Sequence, residues 1–367
     1  MNNYIFKIKK EMNYKNLYPQ KTFYSQAELQ AKVDTQPRLS LAFLPTPLEF
    51  CPRLSKLLGG PDIFIKRDDL TGLAFGGNKT RQLEFLLPKV LNEDFDILVA
   101  GAYSQSNWCR QITAAARKLE KDVMLVLVHG EKGAIRQGNL LLNELMGAMI
   151  KIVNIPDIQE LPPYIYEEAK RLEKEGRRPF IIDPFDQNIL AQSTIGYLDA
   201  SIELDNQLKG LNLNADYIYV AGANMTPAGL ILGMKLLGRS TKVIGISPVR
   251  WKKSRSEDIA AIANATAKIL ELSVEIKPEE ILSSEEYVGS RYGVVTHQSN
   301  EALRLVAEME GIFLDPVYSS KAMAGLIDHI RKGKLKKSDN VVFIHTGGNP
   351  ALFAYAPELV ELNQCLF

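Results

Sequence analysis

The segment Phe75-Gly76-Gly77-Asn78-Lys79-Thr80-Arg81 decides how this chain is read. A strand-like run, Ile63 to Arg67, leads into it through the polar turn Asp68 to Gly72. Leu83, Leu86, Leu87, Val90 and Leu91 follow at helical spacing, which predicts one helix opening at the lysine. Two glycines ahead of an asparagine give a backbone that takes positive φ and lies close to a ligand. Lys79 then stands at a helix N-terminus, where free N–H groups and the dipole disfavour a second positive charge. A lysine so placed gives up its proton more readily. Its neutral amine is a nucleophile that forms Schiff bases with aldehyde cofactors. A solvated surface lysine is the plain alternative, and the context in the rest of the chain decides between them.

Outward from this segment, apolar strands alternate with amphipathic helices. Strands are predicted at 96–100, 123–128, 149–153, 179–182, 216–221, 242–246 and 340–345. Helices are predicted at 107–119, 134–146, 161–175, 193–208, 226–237, 258–270, 298–310 and 320–332. This alternation predicts an α/β fold with parallel sheet covered on both faces. Leu44-Pro45-Thr46-Pro47-Leu48 reads as a proline-fixed, extended entry. A boundary near Phe185–Asn188 separates a four-strand block from a second α/β block. A ligand is expected in the cleft between them, at the C-terminal ends of strands.

The totals narrow the class. The 367 residues suffice for about two domains and a large core. With 46% hydrophobic and 24% charged residues and a net charge of +1, nothing favours a nucleic-acid or anionic-membrane partner. No apolar run reaches the ~18 residues of a membrane span. Met1 to Lys21 has no secretory pattern and is expected to be a flexible arm or surface segment, with Met12 as an alternative start. Three cysteines, Cys51, Cys109 and Cys365, are too few for a disulfide framework and point to a reducing, cytoplasmic compartment. The four histidines show no metal-ligand spacing, and Asp68-Asp69 beside Lys66-Arg67 reads as an ion-paired turn. Nucleotide-binding motifs of the G-x-G-x-x-G and Walker types are absent.

Strand-to-helix turns are where parallel sheets bind ligands. Gly101 to Asn107 opens a helix with Ser106 and Asn107, either as caps or as donors aimed at a carboxylate or phenolic oxygen. Gly222-Ala223-Asn224-Met225-Thr226 opens another helix, where N–H groups and a hydroxyl suit a phosphate or simply cap. Thr346-Gly347-Gly348-Asn349 places a hydroxyl at a strand end, able to meet a ring nitrogen, and glycines that admit a planar group. Tyr292 and Tyr318 are packing residues unless they face Lys79, where they become acid–base groups.

Four segments occur together and in order: Gly76 to Glu84, Gln105-Ser106-Asn107, Leu314-Asp315-Pro316-Val317-Tyr318, and His345-Thr346-Gly347-Gly348. Jointly they resemble the D-cysteine desulfhydrase and 1-aminocyclopropane-1-carboxylate (ACC) deaminase family of pyridoxal-phosphate (PLP) enzymes, from about Leu44 to Tyr355. The resemblance implies a two-domain, type II PLP fold of the tryptophan-synthase-β kind, with parallel-rich sheets flanked by helices in each domain. Residues 1–43 would be an N-terminal arm, 44–78 and 189–367 the large PLP-binding domain, and 79–188 the small domain. Lys79 would hold PLP and later act as the base at Cα. Asn78, Ser106 and Asn107 would bind the cofactor hydroxyl or the substrate carboxylate. Gly222, Ala223, Asn224, Met225 and Thr226 would hold the phosphate. Tyr292 and Tyr318 would flank the substrate, and Thr346, with Gly347, would meet the pyridine ring. A homodimer is also implied.

The implied reaction is β-elimination and deamination of a small amino acid such as D-cysteine, giving a 2-oxo acid, ammonia and sulfide. A related lyase acting on ACC, cysteate or another β-substituted amino acid is the alternative, as is a PLP-binding protein without turnover. Where the deaminase pattern has glutamate after the tyrosine, this chain has Ser319, which favours elimination over ring opening. Two departures stand out. The usual Ser-Gly-Ser-Gly-Gly-Thr phosphate turn is Ala221 to Thr226 here, with side chains expected to crowd the phosphate or reorient the loop. Trp108 replaces a common histidine and is expected to change the pocket volume.

Overall fold

The computed structural model describes residues 23–222, 224–252 and 254–364. Ten strands form two sheets. They are β1 (Leu48–Phe50), β2 (Asp62–Lys66), β3 (Ile97–Tyr103), β4 (Asp122–Val128), β5 (Met149–Val153), β6 (Pro179–Ile182), β7 (Tyr217–Ala221), β8 (Lys242–Ile246), β9 (Leu282–Ser284) and β10 (Asn340–Ile344). The larger sheet runs β1-β2-β10-β7-β8-β9 and the smaller β5-β4-β3-β6. Every pairing is parallel except the β1 edge, which runs against β2.

The parallel strands are apolar nearly throughout because both faces are covered. In β3, Leu98 and Ala100 join a core with Val123, Leu125 and Ile112, while Ile97 and Val99 join the opposite core with Val126, Leu161 and Ile165. The larger sheet divides the same way. Ile63, Ile65 and Phe343 face one core, and Phe64, Ile218 and Ile344 face the other. This is the period-two alternation of a strand expressed twice over.

The chain builds β1 and β2, passes through Lys79, completes the smaller sheet, and returns along the 24-residue helix Gln187–Gly210. That helix starts six residues earlier than the periodicity predicts. The Asp186 carboxylate caps it, accepting from the N–H groups of Asn188 and Ile189 at 2.8 and 3.0 Å. The helix predicted from Lys79 to Leu91 is instead two. Lys79–Leu86 ends before Pro88, and Pro88–Asn92 follows as a short second helix. Proline has no N–H to continue the ladder and suits a first turn, so Leu91 is left exposed. The helix predicted at 134–146 begins only at Gly138.

Met1 to Lys21, with the second methionine, lies outside the described residues, as does Cys365. Within the segment expected as an arm, Gln26–Val33 is a helix closed by a Ser25–Glu28 capping box, and it buries Leu29 and Val33. Cys51 and Cys109 are buried free thiols. Among the described residues no helix is long and apolar enough to cross a membrane.

One buried ionic cluster ties these pieces together. Arg81 donates from Nε and Nη2 to Asp68 at 3.0 and 2.9 Å, and from Nη1 and Nη2 to Glu203 at 3.0 and 2.9 Å. Lys66 also pairs with Glu203 and donates to Thr46 O at 2.7 Å. The Tyr197 hydroxyl donates to Asp68 at 2.6 Å. Beside this cluster the helices make backbone contact at Gly196, where any Cβ would lie 2.2 Å from Arg81 O. Burial alone raises the Asp68 and Glu203 pKa values, but Arg81 and Lys66 outweigh it, and both end below the ordinary carboxylate range. Their stabilisation is therefore complete above that range and fades as pH falls through the lowered values. Arg81→Ala leaves two carboxylates short of a partner. It is expected to lower unfolding free energy by about 3–5 kcal/mol, read as a fall in denaturant midpoint at neutral pH.

Candidate active site

The loop ahead of Lys79 is held in a conformation few residues adopt. Ala74, Phe75, Gly76 and Gly77 have φ of 44°, 69°, 64° and 124°. Its amides are pinned from several directions: Gly77 N donates to Asp68 O at 3.0 Å and Asn78 N to Thr346 O at 3.0 Å. A Cβ on Gly347 would lie 2.6 Å from Gly77 Cα, so the two glycines allow two backbones to touch. Gly347 thus supports the lysine loop, next to Thr346 on the cleft wall.

The cleft lies where β3, β7, β8 and β10 end, between the two sheets. It holds about 1030 Å³ of atom-free space, part of it open to solvent. Lys79, Asn78, Ser106, Asn107, Gly222, Asn224, Met225, Thr226, Tyr292, Tyr318 and Thr346 all line it. Ala223 lies outside the described residues.

Burial brings the Lys79 pKa down to about 8. Desolvation of the buried ammonium is the cause. The Trp108 ring lies 5.7 Å from Nζ. The indole belongs to the apolar core of the smaller sheet, where it packs near Ile112 and forms a floor under the amine.

Ser106 caps the helix Asn107–Lys118, its Oγ accepting from Cys109 N at 3.2 Å, and it faces the cleft as well. At the turn before Met225–Leu236, Asn224 Oδ1 accepts from Met225 N at 2.8 Å and occupies one of the donors expected to serve a phosphate. The Met225 side chain packs into the core with Phe85 and Ile195, which relieves the crowding its bulk suggests. Thr226 Oγ accepts from Asn78 Nδ2 at 2.9 Å and Gln82 Nε2 at 3.1 Å. Two donors on one hydroxyl oxygen leave its proton free to be given.

The Tyr292 and Tyr318 hydroxyls are 2.7 Å apart, and Tyr292 stacks on Tyr103 at 4.1 Å. Burial raises the pKa of both phenols, which keeps them protonated donors. Ser319 faces away from the cleft. Its hydroxyl donates to Asp315 Oδ1 at 2.6 Å, and Asp315 also accepts from Val317, Tyr318 and Ser319 N–H groups. An aldehyde-reactive amine, an amide donor, a free hydroxyl proton and a helix N-terminus in one cleft fit PLP.

The comparisons agree. The family model for pyridoxal-phosphate-dependent enzymes matches residues 39–347. The chain belongs to that family. PLP is therefore its cofactor, and the fold is of type II. A D-cysteine desulfhydrase of Klebsiella pneumoniae (strain 342) is 38% identical over 327 residues, covering 88% of this chain and 97% of the relative. The crystal structure of an ACC deaminase homologue superposes with a TM-score of 0.82 at 36% identity, over 91% of this chain and 98% of the other. Threonine deaminase isoform 2 of Solanum lycopersicum shares the fold at 20% identity and a TM-score of 0.64, over 95% and 92% of the two chains.

The sequence reading of this PLP enzyme missed part of the site. Trp251, Pro184 and Val249 from loops, Ile158 from a short 3-10 turn and Ile189 from the first turn of the long helix wall the cleft without a local motif. Arg110 and Asn139 lie behind Asn107. Only the i, i+3 spacing of Asn107 and Arg110 hinted at that contact.

The lowered lysine pKa has a direct consequence. When apoprotein is mixed with PLP and the adduct is trapped by borohydride, labelling of Lys79 should rise through about pH 8, not near 10.5 as for an ordinary lysine. Peptide mass spectrometry across pH 6–11 reads this out (a span of roughly five units centred on the two lysine values).

Proposed function

We propose that this PLP enzyme carries out β-elimination and deamination of a small amino acid, with D-cysteine as the reference substrate. The observation that supports this most is the convergence of Lys79, Ser106, Asn107, Tyr318 and Thr346 on one cleft, in a chain 38% identical to a D-cysteine desulfhydrase. PLP, when bound, supplies the electron sink for charge developing at Cα.

In this reading Lys79 is the attachment point and then the base. Its amine, whose lowered pKa of about 8 makes the neutral form far more accessible at physiological pH than for an ordinary lysine, takes the Cα proton. The Cβ–S bond breaks, and the Tyr292–Tyr318 pair gives a proton to the departing sulfide. The three-carbon enamine that leaves takes up water and yields pyruvate and ammonia. Asn107 and Ser106 hold the substrate carboxylate or the cofactor hydroxyl, and Asn78 braces Thr226. Gly222 to Thr226, Ala223 included, would hold the phosphate, and Thr346 would meet the pyridine nitrogen.

Ring opening of ACC is the less favoured reading, because Ser319 spends its hydroxyl on Asp315 and offers the cofactor nothing. We further propose the division into a 44–78 plus 189–367 domain and a 79–188 domain, a homodimer, and a cytoplasmic location.

A panel of D- and L-amino acids, scored for 2-oxo acid and ammonia, tests the reading. D-cysteine should be turned over. Lys79→Ala should abolish both the aldehyde-derived absorbance near ~410–430 nm and turnover, by about 10³-fold or more. Tyr318→Phe should keep the band and lower kcat by about 10²-fold. A band with no turnover on any amino acid would leave a PLP-binding protein instead.

A further inference from the structure

A guanidinium lies behind Asn107 that the reaction above does not use. Arg110 is fully buried on the helix Asn107–Lys118. Its Nη1 donates to Asn139 Oδ1 at 2.8 Å and to Asn107 Oδ1 at 3.2 Å, and its Nη2 donates to Gly76 O at 2.7 Å. Its Nε has no partner, and the carboxylate that acts on it, Asp315, does so through its field without a hydrogen bond. Such a side chain is costly to bury, so what it orients matters.

A guanidinium has donors and no acceptor. The Asn107 atom turned towards it must therefore be the carbonyl oxygen. Asn139 Nδ2 donates to that same oxygen at 2.8 Å. Asn139 is fixed in turn, since its N–H donates to Gln105 Oε1 at 2.9 Å and its Nδ2 to Gln105 O at 2.8 Å. With its oxygen engaged at the back, Asn107 keeps its NH2 for the cleft it lines.

We propose that Arg110 is a positioning residue that locks the Asn107 amide so that its NH2 is offered to an anionic oxygen in the cleft. That oxygen is the substrate carboxylate or the phenolic oxygen of PLP. The inference rests on the reading of Asn107 as a ligand contact. By holding Gly76 O, the same guanidinium sets this donor and the Lys79 loop in one frame. Burial brings the Arg110 pKa down to about 10, so the group stays charged at neutral pH and adds its field to the donor.

The test uses the holoprotein. Arg110→Gln and the conservative Arg110→Lys are titrated with D-alanine and with ethylamine, which has no carboxylate, while the cofactor absorbance is followed. The band is also titrated with pH without ligand. If the carboxylate is the anion, Arg110→Gln weakens D-alanine about tenfold or more and leaves ethylamine within about twofold. If the phenolic oxygen is the anion, both ligands weaken and the pH titration of the free band shifts. Arg110→Lys recovers part of either effect.

Two results overturn the proposal: unchanged affinities with an unmoved band, or equal weakening of both ligands with an unmoved band. Should the Arg110 variants not fold, Asn139→Ala decides, because it removes half the anchor and keeps the cation. The same selective pattern at smaller size supports the proposal, and no change refutes it. Asn107→Ala separates the two layers. No effect there removes Asn107 as a contact, whereas an effect there with none from Arg110→Gln removes only the Arg110 inference.

Discussion

The structure depends on the charge balance around Arg81. Two buried cations, Arg81 and Lys66, meet two carboxylates, Asp68 and Glu203, and Thr46, Tyr197 and Gln207 satisfy atoms that remain. Such a cluster adds little net stability over an apolar core of the same shape. Its contribution is geometric. Its members come from five pieces of chain: the entry segment, β2, the turn after it, the lysine helix and the long return helix, which supplies Tyr197, Glu203 and Gln207. Only one arrangement of those pieces satisfies all four charges. The lysine helix is only eight residues long and has no side-chain N-cap bond, so little in its own sequence fixes it. Arg81, two residues beyond Lys79, fixes it from outside.

That arrangement lets the reactive lysine remain unpaired. The cations of the cluster have carboxylate partners, whereas Lys79 has an indole and an apolar surround. An ion-paired lysine would be held protonated. Separating Lys79 from Asp68 and Glu203, while anchoring its helix through them, gives an amine that loses its proton more readily on a rigid support. The strained loop before it serves the same end. Positive φ at Ala74 and Phe75 persists because hydrogen bonds from Gly77 and Asn78 to Asp68 O and Thr346 O over-determine it.

The parts of this molecule legible in the sequence are those written in local pattern. Apolar runs such as Val123 to Val128 can be little other than buried parallel strands, and their turns carried the glycines, serines and asparagines of the cleft. The short strands β1 and β9 left no such trace, since three residues cannot show a period. Pro88 was visible but outvoted by the leucine spacing around it, although one missing N–H is decisive in a helix. Arg81, Arg110 and Gly196 act across large separations in sequence. Arg81 and Glu203 are 122 positions apart, and nothing near either residue announces the other. Trp108, where a histidine is common, is expected to change the pocket volume, and it lines the cleft as well as packing into the core. Its burial with Ile112 and Leu125 comes from the helix face it occupies, which only the packed structure determines.

The two sheets are joined unequally across the cleft. At the mouth, Lys252 pairs with Asp157 at 2.9 Å and Arg291 with Glu131 at 2.8 Å, and both cationic side chains are at least 70% exposed. Pairs of that kind contribute about 1 kcal/mol at most. At the floor, Arg110 holds Gly76 O from a buried position, and the lysine helix sends Leu83 and Leu86 into the smaller sheet's core while Phe85 enters a separate core with Ile195 and Met225. Separating the floor would strip apolar surface and leave the buried Arg110 Nη2 without its acceptor, a cost several times that of the mouth contacts. The exposed ion pairs and the Tyr103–Tyr292 stack are therefore the weaker joins, and the buried floor is what holds Lys79 and Asn107 at their spacing.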